Sequence, residues 1–287
     1  MAKVIEMNVD LYLDGLKQKN QVSYIKLLTI VRQEYKIPES LVTTSAIFRF
    51  LEAREGNVED AAQGILEFSQ WRQSYDWKGV KELDPEITNN FLSMVKYGYY
   101  GEDSKGRPIR YMQIQKCNVG EIFKKAGPEN LALFQLSLIE RTINIILELC
   151  TRKYQRHIYN VVTIVDVENL EVSQILSNTE MLSFAKSKAG ELQKFYPELT
   201  HKSIIINAGT IFYSLWKVIS LFFNKRTTDR IKIFNKDYMD ELLQISPIEK
   251  IPYSFGGKCL YEIDNYPNFY DGEFYKSIQE KRIGLNN

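Results

Sequence analysis

From Val22 to Trp77 the apolar residues recur at helical spacing. Ile25, Leu28, Ile30 and Val31 mark one helix, and Ile47, Phe48, Phe50 and Leu51 a second. A third runs from Val58 to Tyr75, with Ala61, Ile65, Phe68 and Trp71 on one side. Asn57 is placed to cap its start, because its side chain can accept a bond from a free first-turn NH. Lys36-Ile37-Pro38 breaks the pattern before the second helix, since a proline pushes the residue ahead of it out of the helical region. After Lys105-Gly106-Arg107-Pro108 the period changes. Ile109 to Gln115 reads as a strand after a turn, Leu131 to Leu149 as a long apolar helix, and Tyr159 to Val165 as a β-branched run without alternation. Such a run suits a strand covered on both faces. Helical spacing returns from Val172 to Phe195, a buried strand follows at Ser203 to Ile206, a helix at Ile211 to Phe223, and a short strand at Ile231 to Phe234.

Strands alternating with helices imply βαβ units and a mainly parallel sheet. The expectation is an α/β protein: a helical N-terminal part over residues 1–84, an α/β part over 85–262 and a tail over 263–287. With no internal repeat and no low-complexity linker, the first two parts should pack as one body. The 37 basic residues against 36 acidic ones give no global field to draw the chain onto nucleic acid or an anionic surface. Cys117, Cys150 and Cys259 are far apart and form no CxxC pair; Cys150, in an apolar run, reads as a buried thiol. The segment MAKVIEMNVDLYLDG carries acids and no long apolar core, so it is not a secretory signal, and a cytosolic chain is expected. Ile204 to Phe223 is about long enough to cross a bilayer. Its Asn207, Gly209 and Lys217 favour a strand plus an amphipathic helix instead.

Candidate chemistry is sparse. Neither His157 nor His201 has cysteine, histidine or paired carboxylates nearby at metal-ligand spacing, and the chain lacks GxSxG, GxGxxG and GxxxxGK[ST]. Asp166 ends a buried strand, where α/β enzymes often place catalytic groups, yet no partner base is visible and capping the following turn is the simpler role. An enzyme is therefore disfavoured. The helix from Ile211 to Phe223 is apolar on more than one face, which fits either a core helix or a lid over an apolar cavity. The cations Lys225, Arg226 and Arg230 follow it closely, a combination suited to phospholipid headgroups or to a solvated turn.

FRFLEAREGNVEDAAQGILEFSQWR, GRPIRY, TIVDVENL, FYPELTHKSIIINA, TTDRIKIF and FGGK, in that order from Ser45 to Lys258, resemble the CRAL-TRIO family, specifically its phosphatidylinositol/phosphatidylcholine transfer proteins. That resemblance implies a helical N-terminal domain and an α/β lipid-binding domain with a sheet floor, an apolar pocket and a gating helix at Ile211 to Phe223. It implies no cofactor beyond a bound phospholipid, phosphatidylinositol above all. It also implies a monomer in transient contact with organelle membranes, a lipid kinase as a candidate partner, and no nucleic acid. Position by position it implies headgroup contacts from Arg54, Pro108, Glu198, Thr227 and Arg230, the last standing where lysine is usual. Glu55 and Leu199 depart from a lysine and an arginine of the pattern. Tyr100 and Thr163 match residues of the choline-headgroup site. There Arg110, Ile139, Val161 and Leu192 replace two tyrosines and two serines, so choline lipid is disfavoured; Arg110 either binds an anionic group or, with the strand one register step away, faces solvent.

Overall fold

A computed structural model of the chain describes residues 18–39, 41, 43–74, 85–260 and 263. The aromatic tail residues Tyr266, Phe269, Tyr270 and Phe274 and the boundary at 84/85 lie wholly or partly outside these residues. Helix α1 (Gln18–Thr29) ends in a π turn, Ile30–Glu34. Its buried side is Tyr24, Leu27 and Val31, whereas Ile25 is exposed, so the apolar stripe lies one position round from the one expected. Helix α2 (Thr44–Ala53) starts at Thr43, whose hydroxyl accepts from Ala46 N at 3.1 Å. Helix α3 (Val58–Gln73) starts at the expected cap, Asn57 Oδ1 accepting from Asp60 N at 3.1 Å.

Helix α4 (Pro85–Met94) runs directly into β1 (Val95–Glu102), a strand the sequence pattern did not reveal. It pairs antiparallel with β2 (Pro108–Ile114). Asp103 closes the turn between them, its Oδ1 accepting from the backbone N of Lys105 at 2.8 Å and of Arg107 at 2.9 Å. Gly106 sits there at φ 68°, and a Cβ on it would meet the Tyr154 ring at 2.7 Å. Strands β3 (Val161–Asp166), β4 (Thr200–Ile206) and β5 (Ile231–Ile233) follow in parallel, giving the order β1-β2-β3-β4-β5.

The connection from β2 to β3 holds α5 (Val119–Ala126), α6 (Pro128–Arg141), a π turn (Thr142–Ile146) and α7 (Leu147–Tyr154). The expected Leu131–Leu149 helix is thus longer and locally underwound. Between β3 and β4 come α8 (Val172–Ser177) and α9 (Thr179–Phe195). These form two helices rather than one because Asn178 leaves the helical region to cap α9, accepting from Met181 N at 3.0 Å. Between β4 and β5 lie α10 (Thr210–Ile219), a 3-10 turn (Ser220–Phe222) and the short α11 (Lys225–Thr228); α12 (Met239–Leu243) follows β5. Among the described residues no helix is long and apolar enough to cross a membrane.

Successive strand residues face opposite sides of the sheet. On one side Ile109, Tyr111, Val162, Ile164, Ile204 and Ile206 pack against Leu242, Ile245, Ile251, Phe255 and Ile263, so this core reaches one residue past the expected boundary at 262. Gly257 is required there, because a Cβ on it would lie 1.9 Å from the Ile251 carbonyl oxygen. On the other side the helices α6, α8 and α9 stand over the sheet. The N-terminal helices share a core with this part: Tyr24, Leu27, Phe48, Phe50, Ile65 and Phe68 cluster with Tyr97, Phe134, Ile146 and Phe195. Arg72 of α3 grips Glu140 of α6 through two bonds of 2.6 and 2.9 Å, and Tyr196 OH donates to the same carboxylate at 2.8 Å.

Candidate functional site

The side of the sheet opposite the packed core is hollow. A cavity of about 710 Å³ lies between strands β1, β2, β4 and β5 and the helices α4, α5, α6, α8 and α9. Its inner wall is apolar, with Phe91, Met94, Phe123, Leu131, Leu138, Ile139, Ile175, Met181, Phe184 and Leu192. The volume falls within the ordinary range of small-molecule sites. A second hollow, beside Asn118, Gln174 and Ser177 to Glu180, is lined by polar residues and offers no apolar wall.

One rim of the cavity is polar and charged. Arg54, Glu198, Thr227 and Arg230, far apart in sequence, all line it. Arg54 caps the C-terminus of α2 and lies against α3, its Nη2 3.4 Å from where a Gly64 Cβ would stand. Glu198 sits at φ 58°, a strained value for a side chain with a Cβ, and its carboxylate is nearly fully buried. Two cations surround it. Arg230 Nη2 donates to Oε2, while Nη1 of the same guanidinium donates to Thr200 O at 2.9 Å. Arg226 Nε lies 2.7 Å from Oε1 as a close ion pair without hydrogen-bond alignment. Glu52 and Glu55 add weaker pairing to Arg226 at 3.8 Å. Thr227 is set by Asn224, whose Oδ1 accepts from Thr227 N at 2.8 Å, and by Gln193, whose Oε1 accepts from Asn224 N at 2.7 Å. Gln193 also donates to Phe222 O at 2.9 Å, so one glutamine of α9 fastens the end of the α10 segment to the rim.

Arg110 faces the cavity floor and donates to Thr163 Oγ1 from Nε at 3.2 Å and Nη2 at 2.9 Å. Burial pulls its pKa down, but the Tyr99 and Tyr97 phenols beside it more than offset this, and it remains a cation. Thr163 is buried behind it. Leu199, Ile139 and Leu192, three of the departures from the family pattern, are apolar wall, while Val161 is packed into the shared core. Besides the buried Thr163, two expected site residues do not reach the cavity. Tyr100 lies on the packed side of the sheet, where its hydroxyl meets Cys259 Sγ at 3.2 Å, because its neighbours Tyr97 and Tyr99 take the cavity side. Pro108 is buried at the start of β2 and its place is structural.

Helix α10 covers the C-terminal end of the sheet, Phe212 and Leu215 buried against Val167, Val172 and Ala208. Only its extension, at Phe223, touches the cavity. Its outer side carries exposed Ile211, Tyr213 and Leu221, the last 82% accessible. Asp166 accepts from Glu168 N at 3.0 Å, Asn207 Nδ2 at 2.9 Å and Gln113 Nε2 at 3.2 Å, the cap role foreseen for it. Asp166 pairs in register with Ile206, at the opposite end of β4 from His201, so the two form no dyad. His157 stacks on Tyr159 and lies tilted against Phe48, and burial together with nearby Arg49 holds its pKa well below the usual value.

Fold and site together define an α/β cavity protein: a mainly parallel sheet, a hollow on one side, a cationic rim and a helix across one end. The CRAL/TRIO domain profile matches residues 92–257, and the chain belongs to that family. It is similar to "Phosphatidylinositol/phosphatidylcholine transfer protein SFH4" of Arabidopsis thaliana, 25% identical over 265 residues, 90% of this chain and 42% of that protein. "CRAL-TRIO domain-containing protein YKL091C" of Saccharomyces cerevisiae is 24% identical over 233 residues, 79% of this chain and 74% of that protein. The chain spans about two fifths of the length of the first plant relatives. The crystal structure of Sfh5 superimposes with a TM-score of 0.65 at 16% identity, over 94% of this chain and 99% of that one, and shows the shared fold.

Proposed function

We propose that the chain binds one phospholipid, phosphatidylinositol, in this cavity and exchanges it between membranes. The carrying observation is an apolar cavity of about 710 Å³ that ends at a rim holding Arg54, Arg226, Thr227 and Arg230. Each acyl methylene withdrawn from water is favourable by about 0.8 kcal/mol, so such a wall lowers the cost of moving lipid through water. Rim cations suit a phosphodiester, and the names of the plant relatives support the same class of ligand. The chemistry is physical, with no covalent step and no cofactor. The exposed Ile211, Tyr213 and Leu221 beside Lys217 and Lys225 suit the transient contact with a peripheral organelle membrane that exchange requires.

The test is vesicle-to-vesicle transfer of labelled phosphatidylinositol and phosphatidylcholine by the purified chain. Transfer of phosphatidylinositol above that of phosphatidylcholine supports the reading. Binding of lipid without transfer turns it into a lipid-sensing adaptor, for which a lipid kinase is the partner to assay, and transfer of another lipid alone replaces the ligand.

A further inference from the structure

The cavity floor holds a cation that no acid among the described residues pairs with. Strand register sets Tyr99, Arg110, Thr163, Ser203 and Ile231 in one row across the sheet. Arg110 spends Nε and one N–H of Nη2 on the hydroxyl of Thr163. Its other close neighbours are the Tyr97 ring, 6.0 Å from the guanidinium carbon, and the phenols of Tyr99 and Tyr97.

Those phenols belong to a chain of hydroxyls. Tyr97 OH donates to Tyr99 OH at 3.3 Å, Tyr99 OH and Thr142 Oγ1 lie 2.7 Å apart, and Thr142 donates to Leu138 O at 2.7 Å. Because the single Thr142 proton goes to Leu138, Tyr99 is the donor of the middle bond and the chain ends on a neutral carbonyl. The hydroxyl chain beside Arg110 therefore carries no charge. Among the described residues no carboxylate pairs with Arg110, whereas Arg72, Arg107, Arg226 and Arg230 each have one.

A guanidinium removed from water without a counter-ion is unfavourable, and an anion delivered to it offsets that cost. The outer N–H groups of Nη1 and Nη2, beside the phenols of Tyr97 and Tyr99 that also draw on them, form an edge fitted to two oxygens. We infer that Arg110 is an anion subsite on the cavity floor. The cavity then also takes, in place of phosphatidylinositol, a single-tailed amphiphile whose one small anionic group, a carboxylate or a phosphate monoester, reaches the floor. Ile231 pairs with Ser203 next to rim residue Arg230, so Arg110 stands three strand spacings from the rim, about 14 Å between backbones. Rim and floor thus act on different points of a ligand. A quaternary ammonium would meet a like charge at Arg110, which disfavours choline lipids there.

The inference rests on the lipid-cavity reading and deepens it. Its test is titration of the full chain with oleate, oleyl phosphate and oleyl alcohol, monomeric ligands that share one tail. Phosphatidylinositol transfer is measured on the same preparation. Wild type should bind one or both anions at least about tenfold more tightly than the alcohol, as a charge-assisted bond requires. Whichever anion binds tighter identifies the acid. Arg110→Met should bring the ratio to about one and Arg110→Lys restore part of it. Equal affinity for all three ligands in wild type, which needs no variant, overturns the subsite. So does a preference that survives in Arg110→Met. If none of the three binds while phosphatidylinositol is transferred, the subsite alone is wrong; absence of both sinks the cavity reading with it.

Discussion

The two sides of one sheet differ by a single residue of register. Ile109, Tyr111, Val162 and Ile164 enter a filled core, sealed by Phe255 and the Gly256-Gly257 turn. Arg110 and Ser203, each one position along, meet a hollow, with Thr163 buried behind Arg110. On the proposed function, the same strands serve stability on one side and binding on the other. A change on the packed side should be read in folding free energy, and one on the hollow side in ligand affinity.

Substitutions can break or sharpen that division. The largest effect is expected from Phe255→Ala on the packed side, where a buried ring 4.9 Å from Tyr111 is lost; urea denaturation should show a loss of about 3–5 kcal/mol. Next comes the latch between the N-terminal helices and the α/β part. Glu140 is pulled up by burial, but Arg72, Tyr196 and Asn144 outweigh this and hold its carboxyl below the usual range. A lowered folded-state pKa stabilises above the unfolded value and is lost as pH falls through the folded one. Unfolding free energy should accordingly drop as pH falls below about 4.5, the normal glutamate value, and Glu140→Gln should flatten that slope at a cost of about 2 kcal/mol near neutrality.

On the hollow side, Arg54→Ala and Thr227→Asp should each lower phosphatidylinositol transfer about tenfold, the first by removing a cation and the second by setting a carboxylate against phosphate. Unfolding curves matching wild type would accompany that loss, and wild-type transfer rates in both variants would dismiss the rim as a headgroup site. The smallest effect on stability belongs to Leu192→Trp, whose added volume has a cavity to enter. A change under about 1.5 kcal/mol is expected, together with loss of bound lipid.

Much of the fold was legible because the sheet is mostly parallel and buried. YNVVTIV and SIII announce β3 and β4 through β-branched runs, and Asn57 marks the start of α3 by its capping chemistry. Strand β1 was hidden: KYGYYGE has neither alternation nor a β-branched run, and it is held as a strand by pairing with β2 and by tyrosines turned to the core. The break at Asn178 had a local signal, an asparagine able to cap, inside an otherwise continuous apolar period.

The site was legible through ordered motifs rather than spacing. Arg54, Glu198, Thr227 and Arg230 meet only after folding, yet each stands in a motif that sequence order identifies. Tyr100 was misplaced because without β1 its side of the sheet could not be assigned. The clamp made by Gln193 had no signal, since a glutamine on an amphipathic helix reads as solvated surface until the chain brings Phe222 and Asn224 to it. Arg226 was visible only as one of three cations after α10, and its place against Glu198 required the strained turn that carries that carboxylate.

The most direct test of the central claim is mass spectrometry of the chain purified under native conditions, with its lipid extracted and identified. One phosphatidylinositol per chain is the predicted result. A chain that carries no lipid, and takes up none from vesicles containing phosphatidylinositol, would contradict it.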